Sequence, residues 1–554
     1  MQNQRRCRTL AALVGLAVCA AGCTGLAPRA EPGVRMLMAE VALERGEYTF
    51  AAREYRLAAA ASKDPEIAER AARVAFDHGL DRDLERTARE WLARDPKSEV
   101  ARRFEAVALL QLDRRAEAAQ QCGMLIETAY SSPADAFLAL NESLSEVRND
   151  TGAARTVGLL AARYPTVPEA GYAHASLALA AGDSPTALGA IAQALLLRPG
   201  WREARWLEAR ARIAAGDCAR GVGEASALAA ESTDADRLVY AWLLAACDRA
   251  AEARPFFEDL ARGRVTRAEA LEGLASLDVE AQRWDEATSR YTEMLATGRN
   301  TDRAFFGLAV VAERRGDAPQ AVRLYSRVTA GPRAIAAQLR AYRLLLDQGE
   351  PATAARQLDD FVATVTEYRV AVTAGRAQIL AEVGRGADAL ALLDRAIAAY
   401  PDREELRYAR ATVLERTGAV ERALAELSDI ARTRPADPTA QNALGFTLAD
   451  HGLRLPEAEA RIRAALAERP DSAAIRDSLG WVLHRRGQTA EGLEWLKRAY
   501  AADPDAEIAA HVGEAQWTLG DQAGAQKTWR EALERSPGDP HLKESLARHG
   551  GGEP

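Results

Sequence analysis

Residues 477–504 read DSLGWVLHRRGQTAEGLEWLKRAYAADP, and the same outline is written five times between Gly384 and Pro537. Glycine recurs at Gly384, Gly418, Gly452, Gly487 and Gly520, at spacings of 34, 34, 35 and 33 residues. A small residue follows each at Ala389, Ala423, Ala458, Gly492 and Ala525. Proline closes each copy at Pro401, Pro435, Pro470, Pro504 and Pro537. Glycine ends a helix well because it enters the left-handed region without a Cβ penalty, and proline cannot continue one. Each copy therefore predicts two helices joined at the glycine.

Two helices that cross closely need small residues at the contact. Those positions hold Ala377, Ala411, Gly445, Gly480 and Gly513 in the first helix of each copy. Bulky partners stand beside them in the second helix: Leu393, Leu427, Ile462, Leu496 and Trp529. A glycine inside a helix costs roughly 1 kcal/mol relative to alanine, so Gly445, Gly480 and Gly513 require close backbone approach as compensation. Any single copy reads as an ordinary alanine-rich amphipathic pair; five in phase do not. A 34-residue period with a small-then-bulky centre and a closing proline is the tetratricopeptide signature.

Projecting the frame backwards places first-helix ends near Gly46, Gly79, Asp113, Arg148, Gly182, Gly216, Asp248, Gln282, Gly316 and Gly349. The units around Arg148, Gly216 and Asp248 fit the pattern poorly. With only 6% aromatics and little period-two alternation, strand signals are scarce. The expected fold is all-α: a tetratricopeptide-repeat solenoid over residues 34–548, clearest over 370–548, with up to about fifteen units. Such stacks coil into a right-handed superhelix in this family, with a concave groove lined by first helices. The end, 549–554, reads as a disordered tail.

The N-terminus has another character. Arg5, Arg6 and Arg8 precede a short apolar run from Leu10 to Ala21, the form of a secretory signal and too short to span a bilayer. Ala20-Ala21-Gly22 before Cys23 resembles the bacterial lipobox. That resemblance implies cleavage after residue 22, lipidation of Cys23 and a tether over 23–33; a plain signal peptide with an incidental cysteine is the alternative. Thr24 after the cysteine resembles lipoproteins sent to the outer membrane, so the expected location is lipid-anchored there and facing the periplasm. Loss of residues 1–22 would take the formal charge from −8 to −11. An acidic chain argues against nucleic acid as a partner.

Three cysteines remain. Cys122 falls where other units carry a core residue and reads as a buried thiol. Cys218 and Cys247 are expected near first-helix ends in successive units, on one edge of the solenoid. An oxidising periplasm would allow a bridge between them; two free thiols is the alternative.

No HExxH, GxSxG, P-loop or paired CxxC motif is present, no cofactor or metal site is expected, and the chain reads as a non-enzyme. His451, His484 and His511 fall at three different repeat positions and are expected to be solvated and apart. Function should then come from surfaces. The first-helix face of the clear units holds Asn442, Phe446 and Asp450, then Asp477, Trp481, His484 and Arg485, then Glu507, Glu514 and Trp517. Aromatics with charges on a concave face suit a protein or peptide ligand. Packing of Trp481 and Trp517 between neighbouring units is the alternative. The Lys/Asn set that grips a C-terminal carboxylate is not present.

The segments NALGFTLADHG (442–452), DSLGWVLHRRG (477–487) and DAEIAAHVGEAQWTLG (505–520) resemble a family of bacterial tetratricopeptide lipoproteins. Its best-understood type is the outer-membrane lipoprotein adaptor that binds and activates a periplasmic carboxyl-terminal processing protease and promotes turnover of cell-wall hydrolases. The resemblance implies a membrane-tethered scaffold with protein partners and no bond-making residue. Scaffolds for outer-membrane protein assembly or exopolysaccharide export share the organisation and stand as the second reading.

Overall fold

The computed structural model describes residues 31–549 except 46, 63, 113, 146, 148–149, 230–232, 366–367, 402, 436, 471 and 537–538. The signal peptide, Cys23, most of the tether, the frame positions Gly46, Asp113 and Arg148, the closing Pro537 and residues 550–554 lie outside the described residues. Among the described residues there are 31 α-helices and no strand, and the fold is a tetratricopeptide-repeat solenoid. None of these helices is long and apolar enough to cross a membrane.

The chain divides into two compact units between Asn149 and Asp150. The first holds α1 (Pro32–Glu44), α2 (Tyr48–Ser62), α3 (Pro65–Asp77), α4 (Asp81–Leu92), α5 (Glu99–Gln111), α6 (Arg115–Thr128) and α7 (Pro133–Leu144). Pro32 and Gly33, expected in the tether, instead open α1; proline suits a first turn, where its missing N–H has no partner to lose. Its core includes Leu84, Leu109, Leu125 and Phe137. Cys122 is fully buried on α6, and burial pushes its thiol up to about 12.

The second unit runs from α8 (Asp150–Ala161) to α31 (Pro540–Arg548). Its last pairs are α23 (Glu404–Arg416) with α24 (Val420–Thr433), α25 (Pro438–Asp450) with α26 (Leu455–Glu468), α27 (Ala473–Arg485) with α28 (Thr489–Ala502), and α29 (Ala506–Thr518) with α30 (Gln522–Arg535). Side chains cap α25, α27 and α29. Asp437 accepts the Thr439 N–H, Ser472 that of Ile475, and Asp505 that of Glu507. Each of these first helices ends at a glycine with positive φ, from +67° at Gly452 to +89° at Gly520. The crossings are as tight as their residue types require. A Cβ on Gly480 would lie 2.6 Å from Leu496 Cγ and 2.8 Å from the Gly492 carbonyl oxygen. One on Gly445 would lie 2.7 Å from Ile462 Cγ1, and Trp529 fills the same space over Gly513.

Further back the unit is less regular. It includes α11 (Arg202–Ala214), α12 (Cys218–Ala229), α13 (Asp234–Ala246), α14 (Ala250–Leu260), α15 (Arg267–Glu280) and α16 (Trp284–Ala296). The left-handed positions that end α13 and α15 are filled by Asp248 and Gln282, each at φ 56°. Cys218 and Cys247 are bridged, with Cα atoms 5.8 Å apart. Cys218 lies just past a first-helix end, where the repeat frame put it. It opens the second helix α12, because the left-handed Gly216 already stops α11 two residues earlier.

Candidate protein-binding face of the last repeats

The first helices α25, α27 and α29 lie one repeat apart, and residues separated by one period become neighbours. Asp450 ends α25 and accepts a hydrogen bond from Trp481 Nε1 on α27 at 3.1 Å. Arg485, one turn after Trp481, donates to the Asp450 carbonyl and lies 5.6 Å over the Trp481 ring. The same ring stacks on His511 of α29, with centroids 4.2 Å apart. His511 Nδ1 in turn is 2.9 Å and 3.0 Å from the two carboxylate oxygens of Asp477 on α27. A continuous chain thus runs Asp450–Trp481–His511–Asp477 across three helices.

Burial decides what this chain can do. Trp481 is 9% exposed, Asp477 5% and His511 8%, so these three act within the wall. Trp481 is therefore packed between units. Asn442, Phe446, Asp450, Arg485, Glu514 and Trp517 are half-buried, and Glu507 is exposed. Phe446 sits 6.0 Å from the His511 ring, and the Asn442 Oδ1 is buried without a hydrogen-bond partner among the described residues. What the face offers a partner is the Phe446 edge with Glu507 and Arg485 around it.

A second network closes the end. Glu514 accepts from Arg548 at 3.1 Å and lies 2.8 Å from His549 Nε2. Trp517 lies 4.6 Å from the His549 ring and 6.1 Å from Trp529. His549, expected in a loose tail, is instead a plug over Trp517 and Trp529.

His451 is exposed, as expected, but His484 and His511 are neither solvated nor apart. His484 stacks on Trp481 at 5.2 Å, on the helix that also carries Asp477, so His484 and His511 both meet one indole. Differing repeat positions did not keep them apart, because stacking sets a residue of one helix against the preceding turn of its neighbour. Their electrostatics diverge. Burial lowers the His484 pKa. Burial would also lower that of His511, but the Asp477 carboxylate, with Glu507 and Asp450 beyond it, overrides this and raises it. His451 pairs with Glu415 at 3.0 Å, and burial raises the Glu415 pKa against the pull of His451. Ligand atoms of Glu415, Asp450 and His451 lie within 4.8 Å of one another. Trp481 already occupies Asp450, and His451 already occupies Glu415.

The repeat period carries the signal for these pairs. Asp477 and His511 are 34 residues apart, Glu514 and His549 35, and Glu415 and His451 36. Complementary polar residues one period apart were available to be read as contacts.

Comparison with known proteins agrees with this architecture. Tetratricopeptide repeat families match residues 272–335, 380–445 and 447–507. The TPR repeat-containing protein PA4667 of Pseudomonas aeruginosa is similar, at 32% identity over 213 residues. That match takes in 38% of this chain and 36% of the relative, so the chain aligns with about a third of the relative's length. Among solved structures, a tetratricopeptide protein of Thermus thermophilus aligns at 23% identity over 32% of this chain and 98% of its own, with TM-score 0.30. Yeast Tom70 aligns at 12% identity over 93% of this chain and 99% of its own, with TM-score 0.33. The chain carries tetratricopeptide repeats, the class of fold that serves as a protein-interaction scaffold.

Proposed function

We propose that this protein is a lipid-anchored adaptor of the outer membrane, facing the periplasm. It binds and activates a carboxyl-terminal processing serine protease and presents cell-wall hydrolases to it. The observation that carries this reading is the Asp450–Trp481–His511–Asp477 chain. It lies within the three segments through which the sequence resembles the adaptor family, and it stiffens the face that would meet the protease. A face ordered before binding loses less side-chain freedom on docking. Tethering through Cys23 would add effective concentration at the membrane.

The test is crosslinking and affinity purification of the C-terminally tagged protein from detergent-solubilised membranes, beside a Cys23→Ser form. Recovery of a processing protease, with hydrolases accumulating when this protein is removed, is the expected result. Recovery of barrel-assembly or polysaccharide-export components instead would overturn it in favour of a scaffold in those assemblies.

A further inference from the structure

Two stretches of the second unit separated by roughly 300 residues line one cavity of about 380 Å³. One wall is Thr151 and Arg155 of α8, His174 of α9 (Pro168–Ala180) and Thr186 in the first turn of α10 (Ser184–Leu197). Arg469 and Ser472, in the turn between α26 and α27, form the other.

The lining is rich in donors. The Arg469 guanidinium makes no hydrogen bond or ion pair among the described residues. Ser472 Oγ accepts the Ile475 N–H at 3.3 Å, which leaves its own O–H to donate. Asp183, the carboxylate on this lining, accepts the Thr186 backbone N–H at 3.0 Å, leaving the Thr186 hydroxyl to the cavity. His174 can approach α8 because Gly158 has no side chain; a Cβ there would stand 2.6 Å from His174 Nε2. The N-terminus of α27, capped by the neutral Ser472 hydroxyl, borders this space, whereas that of α10 is capped by the Asp183 carboxylate.

We propose that this cavity binds a phosphate-class oxyanion, held by Arg469 and the hydroxyls of Thr186 and Ser472, and that the anion ties α8–α10 to the α26–α27 turn. Arginine is suited to this because its planar fork meets an oxyanion with two parallel hydrogen bonds. The anion is either free phosphate or the phosphoryl group of a lipid headgroup, and both present the same oxygens.

The test is calorimetric titration of the full mature chain with orthophosphate, and separately with phosphatidylglycerol vesicles against phosphatidylcholine vesicles. Saturable binding is expected in at least one arm, at least tenfold weaker in Arg469→Ala and partly restored in Arg469→Lys. Arg432→Ala, exposed on α24, should match the wild type. Orthophosphate alone giving the effect identifies free phosphate as ligand; phosphatidylglycerol alone identifies the headgroup. Thr186→Val, which keeps side-chain volume and removes the hydroxyl, should weaken binding and leave the anion-free melting midpoint in place. Equal affinity of wild type and Arg469→Ala in both arms, or no binding in either, overturns the proposal.

Discussion

The pairs from α25 to α30 and the stretch from α11 to α16 belong to one unit, yet they differ in the residues at their left-handed turns and in covalent linkage. In the later pairs the backbones themselves touch: Gly480 against Gly492 and Leu496, Gly445 against Ile462, Gly513 against Trp529. Each first helix there ends at a glycine that takes the left-handed turn freely. In the earlier stretch Asp248 and Gln282 take that turn with side chains attached, at about 1–2 kcal/mol each. A disulfide spanning 29 residues stands beside the first of them, and a loop of that size contributes about 3–4 kcal/mol. The covalent link is large enough to offset both strained turns. Close crossings occur in this stretch too, since a Cβ on Gly221 would lie 2.8 Å from the Ala209 carbonyl oxygen and one on Gly273 2.5 Å from the Phe257 ring; the disulfide is what the earlier stretch has in addition.

The largest effect should come from the bridge. Cys218→Ala with Cys247→Ala is expected to destabilise the α11–α14 region by about 3–4 kcal/mol. Hydrogen exchange would locate the loss there, since stability in a solenoid is local. Unchanged protection would mean that the earlier stretch is held by packing after all.

Next come the crossings. Gly480→Ala and Ala423→Leu should each cost about 1–3 kcal/mol, because a new side-chain atom at 480 meets backbone and Ala423 is fully buried. The same measurement should put these losses in the last repeats. A melting midpoint and exchange pattern equal to wild type would sink the crossing register.

The strained turns should respond in the other direction. Asp248→Gly and Gln282→Gly are each expected to stabilise by about 1 kcal/mol, while glycine already fills this place in the later pairs. Loss of stability at either site, seen in denaturant titration, would show that the side chain has a role beyond its conformation.

The finest distinction concerns pH. His511 has a raised pKa in the fold, so its pairing with Asp477 contributes fully below the ordinary histidine value and is lost as pH rises through the raised one. His484, with a lowered pKa, works oppositely: it costs stability as pH falls below the ordinary value. Melting of wild type should therefore weaken as pH rises above the ordinary histidine value, and Asp477→Asn should flatten that slope. An identical slope in both proteins would remove His511 from the account.

Much of this was legible beforehand, and the reason differs by residue. Gly480 announced a close crossing because a helix-interior glycine needs compensation, and Leu496 stood where the compensating bulk should be. Gly384 to Gly520 announced helix ends because few other residues take that turn freely. Trp481 was ambiguous, since an indole suits a binding face and a packed interface equally, and only its partners on α25 and α29 decide. His511 is placed by Asp477 one period earlier, a pairing that the repeat positions of the other histidines do not reveal.

Sequence by itself determined what depends on nearest neighbours along the chain: helix ends at the recurring glycines, and which residue of each pair must be small. Tertiary structure alone decided which side chains meet across repeats, as in Trp481 on His511, and which stretches meet across roughly 300 residues, as Arg469 does with α8–α10. Left-handed turns are satisfied within a few residues, so they are written locally. Stacking adds a small rotation at every repeat, and only the sum of those rotations brings distant turns together.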